Sequence, residues 1–297
     1  MQIDGFISAL QTEGRLRLVV VGWGLLGWLI SYPFYGVPAF TLLGEQAALF
    51  CHLFGGGLAA GFLLAGFPLP FRHVPHQLVQ SAGLLAVAVS LLCPVSRLFV
   101  FLAPAAGLLA ALPIFAWGCR VAKTAPLIPV LAGGVVGANL LCWFSRVFAA
   151  TKATALPVVI VLSSVWCCGL FFLPALLPTE KRPLVVARLI PLFLFAVAAY
   201  PTYGIRFRVL LPLVAGFGVG ARLGCLPYII AFATAAVFAV RSSPAPVAAL
   251  GLSFLGLASV SLAALSAFSP TLVLLLFAFT AALAGLACVD FFIGWRW

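Results

Sequence analysis

The sequence predicts an all-α fold, a polytopic transmembrane helix bundle of about ten helices in a six-helix half and an incomplete second half. Three observations predict it. Hydrophobic residues make up 65% of the 297 and charged ones 7%, with a mean hydropathy of +1.27, whereas a soluble domain carries roughly 25% charged residues. A chain so poor in charge cannot cover a water-facing surface, so its solvent is lipid. Apolar runs of about 20 residues, the length that crosses a bilayer as a helix, recur along the whole chain. The basic residues stand mostly singly between these runs, the pattern that sets membrane topology.

Taken in order, the spans are 18–40, 47–69, 77–95, 98–118, 127–147, 155–177, 187–205, 213–240, 246–267 and 271–294. The stretch before the first is comparatively polar, with Asp4, Glu13, Arg15 and Arg17. The apolar run that follows is too long for a signal-peptide core and has no small-residue cleavage site, so it is expected to be a first membrane helix. Arg206, Arg208 and Arg222 interrupt 187–240, which divides into either two helices or three short ones.

Orientation follows from the basic residues. With a cytoplasmic N-terminus, Arg15, Arg17, Arg72, Arg120, Lys123, Lys181, Arg182, Arg188, Arg241 and Arg296 fall inside. Arg97, Arg146, Lys152, Arg206 and Arg208 fall outside, and Arg222 lies within a helix. This bias predicts a multi-pass protein of the cell membrane with both termini cytoplasmic. The longest polar loop, 178–188, carries Thr179, Glu180, Lys181, Arg182 and Pro183. It is read as the boundary between an N-terminal half, 1–177, and an incomplete C-terminal half, 189–297.

The net charge of +11 forms no basic patch, so nucleic acid is not an expected partner; the lipid bilayer is. The eight cysteines fall mostly within apolar runs without a C-x-x-C pair, where cysteine behaves as a small hydrophobe. Neither a disulfide framework nor a metal site is expected. No cofactor is expected either, and no enzyme: the five acidic residues are dispersed, Ser163 and Ser164 have no nearby histidine in sequence, and no glycine run continues into a phosphate loop.

Residues 31–37 read Ser-Tyr-Pro-Phe-Tyr-Gly-Val, and residues 199–205 read Ala-Tyr-Pro-Thr-Tyr-Gly-Ile. Tyr32 and Tyr200 are 168 residues apart. The same offset carries the second span into the eighth and the third onto the ninth. An even number of helices separates the matched elements, which makes them parallel repeats about an axis along the membrane normal.

With its six-helix first half, charged loop 179–188, parallel repeat and cytoplasmic termini, the chain resembles the major facilitator superfamily. The likeness covers the whole chain in architecture and little of it in motif. The family's signature between its second and third helices is a glycine, an acidic residue and then basic residues. Here Gly66 and Arg72 match and the acidic residue is absent, as it also is from 240–244 in the second half. The resemblance implies a secondary transporter whose two halves rock about a central cavity, with helices two, five and eight facing the boundary between halves. Small residues four apart, which let helices approach closely in lipid, occur on those three helices: Gly57 and Gly61, Gly133 and Gly137, and Gly216, Gly220 and Gly224.

Ionisable groups within the bilayer are expensive, which makes each a site candidate. Arg222 cannot lose its proton, and the glycines around it leave room for water, an anionic solute or a carboxylate such as Glu45. His52 lies at a similar depth in the first half. Arg222 and His52 are therefore the candidate substrate-binding residues. Asp290 sits beside Phe291, Phe292, Trp295 and Trp297, as an interfacial anchor does. The resulting reading is a permease for a small solute, with an anion the class that Arg222 favours. The alternative is a non-transporting membrane sensor or partner domain, favoured by the scarcity of membrane-embedded carboxylates. A ten-helix drug/metabolite-type transporter has halves of opposite orientation, which the parallel repeat opposes.

Overall fold

A computed structural model describes residues 13–33, 36–66, 75–96, 98–122, 127–149, 151–173 and 226–239, with residues 253 and 257. The chain divides into two compact units, Leu10–Glu180 and Lys181–Trp297 with Met1–Ala9. Among the described residues all regular secondary structure is helical.

The first unit holds α1 (Glu13–Ser31), α2 (Val37–Leu43), α3 (Ala47–Gly66), α4 (His76–Leu92), α5 (Phe99–Ala122), α6 (Leu127–Phe148) and α7 (Lys152–Phe172). In the second unit α8 (Leu226–Ala239) is described; it lies inside the span expected at 213–240. The spans expected at 187–205, 246–267 and 271–294 lie outside the described residues, save Ser253 and Leu257. So does Tyr200, the second arm of the repeat.

Among the described residues, five segments are long and apolar enough to cross a membrane: Gly14–Ser31, Val37–Leu64, Phe99–Val121, Pro129–Phe148 and Lys152–Phe172. The apolar helix α4 is shorter, with 17 residues and a length of roughly 25 Å. The surface around the core suits lipid: Leu63, Leu98, Phe101 and Phe171 are all exposed by 60% or more. In water so many large exposed apolar side chains would be an aggregation liability; against acyl chains they are the expected surface.

Local chemistry sets the helix ends, and it moves several of the expected boundaries. The first span was expected to run to residue 40, but α1 stops at Ser31. Pro33 follows, with no N–H to donate and a ring that disfavours helical backbone just before it. Residues 37–40 belong instead to α2, which starts with proline in its first turn, where a missing N–H costs nothing. Gly44, at φ 57, closes α2, a conformation that glycine adopts without steric cost. A 3-10 turn, Gly44–Gln46, then leads directly into α3. Later in the chain, α7 begins at Lys152, before the expected 155. Thr151 Oγ1 accepts from Thr154 N at 3.3 Å and Thr151 N donates to Thr154 Oγ1 at 3.2 Å. This reciprocal box satisfies two N–H groups that would otherwise lack partners.

Helix α1 packs on α6 and α7, α3 packs on α5, and α4 packs chiefly on α5. Small residues make the close approaches. A Cβ built on Gly22 would lie 3.1 Å from the Cα of Gly134, and one on Gly24 would lie 2.6 Å from the carbonyl oxygen of Val165. Between α3 and α5, a Cβ on Gly57 would strike the backbone of Pro104, and one on Gly107 the backbone of Phe54. Without a hydrophobic force between helices in lipid, such backbone proximity supplies the dispersion contacts that hold them. The core is a single apolar cluster that includes Leu25, Trp28, Tyr32, Phe50, Phe54, Ala110, Leu162 and Trp166.

Candidate functional site

The centre of the first unit is aromatic. Trp28 on α1 lies 4.4 Å from Trp166 on α7, ring centroid to centroid, and meets Phe54 on α3 edge-on at 6.1 Å. Tyr32 continues the cluster to Phe50 at 6.0 Å. Edge-to-face and offset rings gain about 0.5–1.5 kcal/mol per pair beyond burial.

Indole N–H groups brace this core from helix to helix. Trp117 on α5 donates Nε1–H to the Leu18 carbonyl of α1 at 2.8 Å, and Trp166 on α7 donates to the Gly83 carbonyl of α4 at 3.0 Å. Trp23 on α1 donates to the Gly133 carbonyl of α6 at 2.7 Å. Tyr32 donates its hydroxyl to the Ser90 carbonyl at 3.1 Å, and Gln80 on α4 donates Nε2–H to the Leu170 carbonyl of α7 at 3.2 Å. Trp23 is exposed; the other bonds give buried or half-buried donors partners that lipid cannot supply.

The charged groups of this unit lie at its ends. Arg17, exposed at the start of α1, donates Nε–H to the Phe172 carbonyl at the end of α7 at 2.7 Å. A cation there satisfies a terminal carbonyl and faces the negative end of the helix dipole. At the opposite end, Thr41 on α2 donates to the Ala149 carbonyl at 3.0 Å, and Glu45 and Lys152 are exposed. Among the described residues the buried polar side chains are four serines, Ser31, Ser90, Ser145 and Ser163.

The sequence-predicted site residues fall as follows. His52 is on α3, on its exposed side, next to the buried Cys51. Arg222 lies outside the described residues, as do Gly216, Gly220, Gly224 and Asp290. Gly57 and Gly61 are buried against α5, where their neighbours are Pro104, Leu108 and Ala111. Gly133 faces Val19 of α1, and Gly137 faces the Trp23 indole. These four glycines were expected to face a boundary between halves; their close neighbours are helices of their own unit. A shallow cleft of about 350 Å³ between α3 and α5 is lined by Phe62, Ile114, Phe115, Trp117, Gly118 and Cys119. It has no charged lining and suits an acyl chain better than a polar solute.

The sequence reading passed over the tryptophan braces. The available signal was their position. Trp28, Trp117 and Trp166 lie within or near the ends of spans on core-facing sides, and an indole in hydrocarbon needs an acceptor. The described residues contain no group of three His, Cys, Asp or Glu side chains placed to hold a metal. Six described cysteines, Cys51, Cys93, Cys119, Cys142, Cys167 and Cys168, are in no disulfide. No protein family, no curated protein and no solved structure matches the chain.

Proposed function

We propose that this protein is a multi-pass secondary transporter of a small anionic solute. In this reading the unit Leu10–Glu180 is one rigid half of an alternating-access permease, Arg222 holds the solute's negative charge, and both termini are cytoplasmic. The observation that carries the reading is the construction of the first unit. Its helices are locked by backbone-level glycine contacts and indole braces, and its charges stand at its ends. A body of that kind moves as a whole, as rocking requires. It leaves the binding of charge to groups outside its core, of which Arg222 is the candidate. His52, on the exposed side of α3, is the second candidate for contact with the solute.

The second reading is a non-transporting membrane sensor or partner domain. The lack of embedded carboxylates favours it: among the described residues no carboxylate is buried, and proton-driven carriers ordinarily embed one.

A cysteine at position 222 separates the two. In a background with all eight native cysteines replaced, Arg222→Cys is treated with a membrane-impermeant thiol reagent, from each side in turn. Alternating access predicts modification from both sides. Modification from one side only, or from neither, contradicts transport through a cavity at this residue.

A further inference from the structure

Hydroxyls within apolar helices ordinarily return to a carbonyl three or four residues back. Ser145 does so with the Cys142 carbonyl at 2.8 Å, Ser164 with Ile160 at 2.9 Å, and Thr234 with Ile230 at 2.8 Å. Ser31, Ser90 and Ser163 do not. Their Oγ atoms are buried without a hydrogen-bond partner, and so is Nε1 of Trp28. The four residues are 0–6% exposed.

These groups converge. Ser31 and Trp28 lie one turn apart on α1, Ser163 lies one turn from Trp166 on α7, and Ser90 is on the core face of α4. The Trp28 and Trp166 rings meet at a tilt of 49°, with centroids 4.4 Å apart. Trp166 reaches the Gly83 carbonyl of α4, and Tyr32 reaches the Ser90 carbonyl. Gly24 of α1 packs on Gly169 of α7. These contacts bring the three serines and the indole to within roughly one to two turns of one level, where α1, α4 and α7 share the core.

We propose that Trp28, Ser31, Ser90 and Ser163 form an internal water-binding site between α1, α4 and α7. The chemistry selects the occupant. An indole N–H only donates, so it demands an acceptor and repels a cation. An anion would be buried without a counter-charge, because no charged side chain among the described residues is buried, and burying an unpaired charge is prohibitive. A water accepts from the indole N–H or a serine hydroxyl and gives its protons to the remaining Oγ atoms, using two to four polar partners as internal waters do.

Radiolytic labelling tests this in the full-length protein in lipid nanodiscs, because hydroxyl radicals formed from bound water mark the side chains beside it. Trp117 is the control: it is 4% exposed and its N–H is bonded to the Leu18 carbonyl. Trp28 is expected to be labelled about fivefold faster than Trp117, since water stands beside the one ring and is excluded from the other. The double variant Ser31→Ala, Ser163→Ala should remove that excess and leave Trp117 unchanged. The wild-type comparison needs no variant to fold: labelling of Trp28 no faster than Trp117 overturns the proposal. An excess that persists in the double variant overturns the assignment of its serines.

Discussion

Replacing Gly57 with alanine drives a methyl group into the backbone of Pro104, at the closest approach of α3 and α5. The neighbour is a carbonyl in a helix, not the flexible end of a side chain, so the two helices must separate. Overpacking of this kind costs about 1–3 kcal/mol. Gly56, one residue earlier, is exposed and has nothing within 4 Å of a built Cβ. Both substitutions gain the same helix propensity, about 1 kcal/mol, which cancels when the two are compared. Gly56→Ala should therefore be more stable than Gly57→Ala by about 1–3 kcal/mol, and at least as stable as the wild type. Thermal unfolding in detergent, followed by loss of the monodisperse chromatographic peak, gives the order of the three midpoints. Equal midpoints for the two variants, or the reverse order, would refute the packing of α3 on α5.

The other predictions rest on the indole braces and on the helix cap. Trp117→Phe keeps the ring and removes the donor to the Leu18 carbonyl, so it should cost about 0.5–1.5 kcal/mol in the same unfolding assay. Trp28→Phe removes an N–H that has no protein partner and should cost less than Trp117→Phe; a larger loss at Trp28 would count against the contrast drawn between the two indoles. Thr151→Val removes the oxygen that accepts from Thr154 N, leaves the Thr151 N–H bond to Thr154 Oγ1 in place, and should cost about 0.5–2 kcal/mol. Thr151→Ser should recover most of that loss, and a failure of serine to rescue would show that the hydroxyl is not what holds the start of α7.

Hydropathy made α3, α5 and α6 legible, because each is a continuous apolar run with polar or proline-containing loops beside it. It misplaced the end of α1. The Ser-Tyr-Pro-Phe-Tyr-Gly segment carries no charge, so a span read from uncharged length runs across it, and the backbone chemistry of Pro33 marks the break. At α7 the charge of Lys152 argued against an early start, while the threonine pair that caps the helix has no hydropathy signature. Glycine spacing identified Gly57, Gly61, Gly133 and Gly137 as places of close approach. It could not say what approaches, since a four-residue spacing describes one helix face and the partner is set by the whole bundle. The cluster around Trp28 was hidden for the same reason: Ser31, Ser90 and Ser163 are ordinary residues in sequence and meet through α1, α4 and α7.

Arg17 and Phe172 are bonded, so the start of α1 and the end of α7 lie at one end of the unit. If the unit lies across a membrane, an even number of crossings must join them. The five segments long enough to span give an odd number, and the short helix α4 has to supply the sixth. Labelling engineered cysteines in intact cells tests this directly. Glu45, exposed in the turn before α3, and Thr179, which follows α7 in sequence, are separated by α3 to α7. With α4 crossing, Glu45→Cys should react with an impermeant maleimide from outside, and Thr179→Cys only after permeabilisation. Reaction of both from the same side would contradict the six-crossing unit and, with it, the membrane account of the first half.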